Sequence, residues 1–195
     1  ARSCRPHLTV GLAGDGGDEL FAGYAPFKAL AMEPPLSCLP NGAIALMKRL
    51  VGLLPETDRY LGLKFKAEAV LRGFPAPRDL RYPLWLATMA PEDMAEIATQ
   101  AWGEFFVRDG IPGLGFAPYA ALMSEVGDRL PAQRLAHFYQ QVFLPEFVCM
   151  HTDRAAMQHS LEVRAPFLSP DLIAYANSLP DSLQSRSGDT KHLLR

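Results

Sequence analysis

The chain has 195 residues, 49% of them hydrophobic and 21% charged, which is ordinary for a globular protein with a sizeable core. Its formal net charge of −2 gives no electrostatic reason to expect nucleic acid or an anionic membrane as a partner. No apolar run is long enough to cross a bilayer, so no membrane association is expected. The spacing of Cys4, Cys38 and Cys149 argues against a disulfide framework or a zinc site and favours a reducing cytoplasm.

The first predicted element is a buried strand at His7–Leu12, which is short, contains β-branched residues and runs directly into glycines. An acidic glycine loop follows at Gly14–Glu19. From Asp18 onward the apolar spacing turns helical, with one face formed by Leu20, Phe21, Tyr24 and Phe27. The opening of the chain therefore predicts strand, acidic loop and helix in succession.

The long middle segment, Met32–Leu130, has a helical pattern broken by prolines and glycines. Within it, Pro91 with the acidic residues after it predicts the start of a helix. The segment contains no repeat, and we see no residues there that suggest chemistry. We interpret it as a scaffold.

The last third contains three further predicted helices. Pro131–Gln141 is amphipathic, and Pro145 is expected to open a second helix that continues to about Gln158. Ser169 is typical of an N-cap, and the helix after it should end before Pro180. A polar loop then leads to Lys191, and we expect the centre of this loop, Ser185–Asp189, to be exposed and mobile.

The residues alone thus predict a predominantly α-helical chain with one strand near residues 7–12. One strand is not a complete sheet, so the remaining strands are expected upstream. The chain starts without methionine, and its end at Lys191–Arg195 looks like the start of a helix. We therefore interpret the sequence as a piece of a longer protein.

The acidic loop is the first candidate site, and it consists of Gly14, Asp15, Gly16, Gly17, Asp18 and Glu19. Ligands of parallel α/β sheets lie beyond the carboxyl ends of the strands, where this loop is expected. Glycines let the backbone approach a ligand closely, and neighbouring carboxylates favour a magnesium ion that bridges to nucleotide phosphates. The alternative is an exposed turn followed by an acidic helix start. Composition alone leaves the two interpretations evenly matched.

Three strings resemble segments of asparagine synthetases. LAGDGGDELFAGY at Leu12–Tyr24 resembles the family's L-S-G-D-G-G-D-E-L-F-A-G-Y. DRAAMQHSLEVRAPFL at Asp153–Leu168 resembles D-R-x-S-M-x-H-S-L-E-V-R-x-P-F-L, and KHLLR at Lys191–Arg195 resembles K-x-x-L-R. The strings occur in the family's order and anchor both ends of the chain, so the resemblance spans essentially all of it.

The resemblance implies an α/β fold of the adenine-nucleotide α-hydrolase type, with a parallel sheet. Residues 1–195 would be the carboxy-terminal portion of the synthetase domain. Such enzymes use ATP and Mg²⁺ to adenylate a carboxylate, here with aspartate as the favoured acceptor, and release pyrophosphate. Ammonia made from glutamine in an upstream glutaminase domain then gives asparagine and AMP.

The sequence lacks both that glutaminase domain and the family's pyrophosphate loop, S-G-G-x-D-S. We therefore expect the fragment alone to be inactive. The implied partners are small-molecule substrates and the upstream glutaminase domain. A homodimer is also compatible with the resemblance.

The resemblance also implies roles for individual residues. Asp18 matches the magnesium ligand, and Asp15 matches an acidic residue near the adenylated intermediate, where it could take a proton from ammonia. Lys191 would stabilise charge at the α-phosphate and pyrophosphate. Glu19 could assist the metal or cap the helix, and Tyr24 could line the nucleotide pocket or pack in the core. The positions assigned to the nucleotide are Gly14, Gly16, Gly17, Glu19 and Tyr24.

The second string has two interpretations. Asp153, Arg154 and Glu162 could lie at the substrate or at the ammonia exit. Alternatively, they belong to a structural network of ion pairs and hydrogen bonds that joins two helices, which is the interpretation we prefer for Arg164.

Three positions depart from the family pattern. His151 stands where lysine is common, and the two side chains differ in charge at neutral pH. Ala13 replaces a serine before the acidic loop and loses a hydroxyl group there. Ser169 replaces an aspartate, but either residue can cap the helix that follows.

Two alternative functions remain open. One is a related amidotransferase, or a β-lactam-forming enzyme, that acts on another substrate. The other is a non-catalytic binding module, which the presence of Asp15, Asp18 and Lys191 makes less favoured.

Overall fold

The structure, a computed structural model, describes residues 1–55, 62–74, 76–98, 100–108, 111–184 and 190–194. The chain divides into two compact units. The first unit consists of Ala1–Lys28 together with Arg129–Arg195, and the second unit is Ala29–Asp128. The first unit therefore contains both the acidic loop and the tail lysine, although they lie near opposite ends of the chain.

Most of the described residues are helical. The α-helices are α1 (Gly17–Leu20), α2 (Ala25–Ala29), α3 (Glu33–Ser37), α4 (Asn41–Gly52), α5 (Leu63–Arg72), α6 (Arg78–Leu86), α7 (Pro91–Ile97), α8 (Gln100–Phe106), α9 (Ala117–Glu125), α10 (Pro131–Phe138), α11 (Met150–Met157), α12 (Pro170–Ser178) and α13 (Asp181–Gln184). A π-helical segment, Tyr139–Cys149, joins α10 to α11. The strands are β1 (Val10–Leu12), β2 (Val107–Arg108), β3 (Ile111–Pro112) and β4 (Glu162–Arg164).

The first unit contains a small parallel sheet. Strand β1 pairs with β4 in parallel, with Gly11 opposite Val163. The pairing extends past the strand ends, because Glu162 N–H donates to the Thr9 carbonyl at 3.0 Å and Ala13 N–H donates to the Arg164 carbonyl at 2.9 Å. A parallel sheet and many helices make the chain an α/β fragment, as the family resemblance implied.

The prediction of a single strand near residues 7–12 was wrong in number and in length. The strand there spans only Val10–Leu12, and β4 lies beside it. In the second unit, β2 and β3 form an antiparallel pair. These strands have two or three residues each, so none is long enough to show the alternating pattern by which a strand is recognised.

The helix predicted from Asp18 onward is divided into two. Helix α1 ends at Leu20, and α2 begins at Ala25. Between them Ala22 has φ 52°, a left-handed conformation that interrupts the helix.

The prediction that Pro145 opens a new helix was also wrong. Pro145 lies inside the π-helical segment, and helix continues from α10 through to α11. Proline removes a backbone donor, and the wider π turn accommodates such a local irregularity. Along this segment the Phe143 ring packs edge-on against Tyr139 and stacks on Phe147, with centroid distances of 5.5 and 5.2 Å. We attribute the continuous helix to the packing of these side chains, which outweighs the tendency of proline to interrupt a helix.

The core of the first unit forms where α1 meets α12. Leu20, Phe21 and Ala176 are buried there, with Phe167, Leu172 and Ile173 packed against them. The predicted capping of α12 is confirmed, because Ser169 Oγ accepts the Leu172 N–H at 3.3 Å. The polar tail segment Ser185–Asp189, for which mobility was predicted, lies outside the described residues.

The second unit is helical, as the pattern predicted, and helix α7 starts at Pro91 as expected. One of its cores consists of Leu80, Leu84 and Phe116. Across both units, none of the helices in the described ranges is long and apolar enough to span a membrane.

Candidate active site

The acidic loop lies at the carboxyl ends of the two parallel strands. It follows β1, and its second and third glycines pack against the segment that follows β4. Gly16 has φ 92°, and a Cβ there would overlap the Leu168 side chain. A Cβ on Gly17 would lie 3.5 Å from Phe167 Cδ2. Gly16 and Gly17 are buried, whereas Gly14 is exposed with open space around it, so of the three glycines only Gly14 presents its backbone to a ligand.

Asp18 and Lys191 form an ion pair, with 2.8 Å between Lys191 Nζ and Asp18 Oδ1. The backbone holds the lysine in place, because Lys191 N–H donates to the Phe21 carbonyl at 3.2 Å. The side chains of Asp18 and Lys191 are 34% and 43% exposed, so solvent screens the pair and its net contribution to stability is small. A charged ligand can therefore replace either partner at little cost.

Gly23 makes this pairing sterically possible. A Cβ on Gly23 would overlap the Asp18 carboxylate and lie 2.7 Å from Lys191 Cε. No role was predicted for this glycine from the sequence. The available signal was its position inside the string Leu12–Tyr24, where a glycine beside the loop carboxylates indicates a close approach.

Glu19 lies beneath the site rather than in it. Glu19 is 1% exposed, and its Oε1 accepts a hydrogen bond from the Tyr24 hydroxyl at 2.6 Å. Tyr24 in turn stacks on Tyr139 with 4.5 Å between ring centroids. Burial is the main cause that raises the pKa of both tyrosine hydroxyls, and the nearby Glu19 carboxylate raises it further. The geometry supports a structural role for Glu19 and Tyr24, in which the phenol satisfies a buried carboxylate.

A pocket of about 240 Å³ lies beside the loop at the same edge of the sheet. Its wall includes Asp15 from the loop and Asp153 from α11, so the structure brings these two predicted site residues together. Its other residues are Cys149, Thr152, Ala156, Leu161, Val163, Ala165 and Leu168. Burial, followed by the charge of Asp15, raises the pKa of the Cys149 thiol. A mostly apolar wall with a few polar groups is typical of a small-molecule site.

The other charged residues singled out in the second string, Arg154, Glu162 and Arg164, are exposed and are not part of the pocket wall. Arg164 Nε donates to Glu162 Oε1 at 2.8 Å, and both side chains are exposed. This pair lies along one strand, so it does not join two helices as we expected. His151 is exposed, with its ring 5.5 Å from that of Phe147.

The carboxylates do not form a ready-made metal cage. Within the described part of the chain, no group of three His, Cys, Asp or Glu side chains is placed to hold a metal ion. Magnesium commonly binds through one or two carboxylates together with substrate phosphates. The single, partly exposed carboxylate of Asp18 fits that mode, in which the ion arrives with a nucleotide.

The chain is an α/β protein whose acidic glycine loop lies at the carboxyl ends of parallel strands, the edge at which open α/β sheets bind their ligands. The family model described as asparagine synthase matches residues 1–195. The chain therefore belongs to the asparagine synthase family.

Two curated relatives illustrate the similarity. The chain is 24% identical over 196 residues to asparagine synthetase [glutamine-hydrolyzing] 1 of Bacillus subtilis, a match that covers 100% of this chain and 28% of that protein. It is 25% identical over 217 residues to the amidase chyE of Penicillium rubens, covering 96% of this chain and 29% of that protein. The chain thus spans less than a third of the length of these relatives. No solved structure matches it.

Proposed function

We propose that the chain is the carboxy-terminal part of the synthetase domain of an ATP-dependent, amide-forming ligase. The enzyme adenylates a carboxylate, for which aspartate is the favoured acceptor, and releases pyrophosphate. Ammonia from glutamine then attacks the acyl-adenylate to give asparagine and AMP. The observation that carries this proposal is the ion pair between Asp18 and Lys191, which brings a carboxylate and a cation from distant parts of the chain to one loop.

Lys191 is the phosphate-binding cation in this proposal. Its ammonium is held at the loop by Asp18, 2.8 Å away, and an incoming triphosphate competes for it. Because a partly exposed ion pair is worth little in water, exchanging the carboxylate for a phosphate partner is inexpensive. Once there, the lysine is a fixed positive charge where negative charge develops as pyrophosphate leaves.

The two loop aspartates have different roles. Asp18 would hold Mg²⁺ together with the nucleotide phosphates, and the ion would supply charge neutralisation for the triphosphate. Asp15 lines the adjoining pocket, where its carboxylate can accept a proton from ammonia as the amide forms. The missing parts of the sheet, the pyrophosphate loop and a glutaminase domain belong to a preceding segment of the longer protein in this proposal.

The test is pyrophosphate and AMP release by the full-length protein with ATP, Mg²⁺, glutamine and a panel of carboxylic acids. Replacing Lys191 by alanine should lower kcat by about 100-fold or more, the usual loss when a preorganised charge is removed. Lys28→Ala is the matched control, since Lys28 is an exposed lysine on α2 of the same unit. Circular dichroism should show an unchanged fold for both variants.

Two results would count against the proposal. Turnover that is unchanged in Lys191→Ala would remove the lysine from the reaction. Full activity of residues 1–195 expressed alone would show that the preceding segment is not needed, contrary to the proposal.

A further inference from the structure

We propose that Glu19 and Tyr24 are positioning residues for the ion pair at the acidic loop. The hydrogen bond between them holds the turn that starts at Asp18 in the shape in which Asp18 meets Lys191. This inference rests on the proposed function, because it assumes that the ion pair is where the magnesium nucleotide binds. It goes further by making the affinity for that ligand depend on two side chains that do not touch it.

Two hydrogen bonds between neighbouring positions close the turn. Gly23 N–H donates to the Asp18 carbonyl at 2.9 Å. The Tyr24 hydroxyl donates to Glu19 Oε1 at 2.6 Å. The second bond therefore joins the residue after Asp18 to the residue after Gly23. Because a Cβ on Gly23 would overlap the Asp18 carboxylate and approach Lys191 Cε, both ends of this bond adjoin residues that shape the ion pair.

The backbone of the turn needs such contacts to keep its shape. Ala22 has φ 52° and Lys191 has φ 56°, in a left-handed region that residues with a side chain rarely adopt. Strained residues of this kind persist only where the surrounding structure fixes them. Lys191 N–H donates to the carbonyl of Phe21, the residue before Ala22, at 3.2 Å. A turn that relaxed would therefore move the carbonyl that anchors the lysine.

Tyr24 provides a fixed point for the turn. Its ring stacks on Tyr139 with 4.5 Å between centroids and meets Phe143 edge-on at 5.6 Å, so close packing holds the ring in place. The acceptor, Glu19, is 1% exposed, so water cannot readily replace the phenol as a hydrogen-bond donor. A buried carboxylate without its donor is costly, and removal of the hydroxyl therefore favours a shift of Glu19 towards solvent.

A shift of Glu19 is passed directly to Asp18. The two are consecutive residues of α1, and consecutive side chains of a helix point about 100° apart. The arrangement that buries Glu19 thus leaves the Asp18 side chain 34% exposed beside Lys191. A rotation of α1 that carries the Glu19 carboxylate towards water also moves the Asp18 carboxylate relative to Lys191.

The experiment is isothermal titration calorimetry of the full-length protein with Mg·ATP, without an acceptor acid. Tyr24→Phe keeps the ring and removes only the donor, and it should weaken Mg·ATP binding by about tenfold, the scale of one hydrogen bond to a charged group. In an Asp18→Asn background the same substitution should cause no further loss, because the carboxylate that it misplaces is already gone. A role in stability alone would give equal changes in the two backgrounds, and urea unfolding of each variant reports stability separately. Tyr175→Phe, at a tyrosine that is 60% exposed on α12, should bind Mg·ATP like wild type.

Glu19→Gln distinguishes positioning from direct metal binding. Glutamine keeps an oxygen that accepts the phenol hydroxyl, so this variant should retain most of the affinity for Mg·ATP. A glutamate that held the ion itself would lose affinity in Glu19→Gln as severely as Asp18 does in Asp18→Asn. Unchanged affinity in Tyr24→Phe, additive losses with Asp18→Asn, or so severe a loss in Glu19→Gln would overturn this inference alone. A wild-type protein that binds no Mg·ATP would overturn the proposed function as well.

Discussion

Gly23 leaves no room for a side chain beside Asp18, because a Cβ on this glycine would overlap the Asp18 carboxylate. The same Cβ would lie 2.7 Å from Lys191 Cε. The glycine thus fixes the space in which the aspartate and the lysine meet. A glycine is required at this position for a steric reason. A left-handed backbone is not the reason, because the left-handed residue is the neighbouring Ala22.

Replacing Gly23 by alanine should therefore disable the enzyme while leaving the fold intact. The added methyl group must displace the Asp18 carboxylate, the Lys191 side chain or both, and a misplacement of about 1 Å at a catalytic group costs about 100-fold in rate. Pyrophosphate release by the full-length protein measures this loss. Gly42→Ala is the control, because a Cβ there meets nothing within 4 Å. Equal activity of Gly23→Ala and wild type would show that the ion pair does not matter for turnover.

The stacked tyrosines Tyr24 and Tyr139 predict a loss of stability at alkaline pH. The pKa values of Tyr24 and Tyr139 are raised above the ordinary value of 10.0, mainly by burial and also by Glu19. As pH rises, the unfolded chain loses these protons first, so the native state binds more protons and stability falls with pH. The contribution of the two tyrosines to the free energy of unfolding is complete below about pH 10. It is lost progressively as the pH rises above that value.

The measurement is the urea unfolding midpoint between about pH 8 and pH 12. Tyr139→Phe should flatten the alkaline decline relative to wild type, because the variant has one buried phenol fewer to ionise. Tyr175→Phe should keep the wild-type slope, since Tyr175 is 60% exposed. A decline in Tyr139→Phe as steep as in wild type would assign the alkaline loss to other groups.

The sequence predicted the elements whose signals are local. Ser169 before Pro170 is a local signal, and the structure shows the cap. The strand before the acidic loop was also predicted, although only its second half is a strand. In contrast, Glu162–Arg164 was not predicted as a strand, because its pairing with β1 depends on residues far away in the chain. The continuous helix through Pro145 likewise depends on aromatic packing, which no local rule reports.

The candidate site also has features that the sequence predicts and features that depend on residues far apart in the chain. The family resemblance supplied roles for Asp18 and Lys191, and these roles remain predictions. That their side chains meet at 2.8 Å is a property of the fold, which brings the two ends of the chain into one unit. The sequence left open whether Glu19 assists the metal or caps the helix. Only burial distinguishes it from the other two carboxylates of the loop, since helix α1 turns this side chain towards the interior.

A buried ion pair in the second unit should contribute strongly to stability. Glu33 is 6% exposed, its Oε1 lies 2.5 Å from Arg81 Nη1, and its Oε2 accepts the Tyr82 hydroxyl at 2.8 Å. Glu33→Ala removes the carboxylate and leaves the Arg81 guanidinium and the Tyr82 hydroxyl without it in the protein interior. This should lower the free energy of unfolding by about 3–5 kcal/mol. Tyr82→Phe removes one hydrogen bond and should cost about 1–3 kcal/mol.

Urea denaturation followed by circular dichroism checks both values, with the fully exposed Asp128 as the comparison. Asp128 pairs with Arg78 at 3.5 Å on the surface, so Asp128→Ala should leave the unfolding midpoint unchanged. A Glu33→Ala protein as stable as Asp128→Ala would contradict this prediction, because it would show that Arg81 and Tyr82 are satisfied without the carboxylate.

The cap of α12 permits a test of whether serine and aspartate are equivalent at position 169. Ser169 Oγ accepts the Leu172 N–H, so Ser169→Ala should lower the free energy of unfolding by about 1 kcal/mol. Ser169→Asp should be as stable as wild type or more so, because the carboxylate caps equally well and complements the helix dipole. Ser178→Ala is the control at the other end of the helix, where the serine hydroxyl only donates to the Tyr175 carbonyl. Chemical denaturation with an unchanged m-value gives the three differences, and a Ser169→Asp variant as unstable as Ser169→Ala would mean that the segment cannot accept a carboxylate at this position.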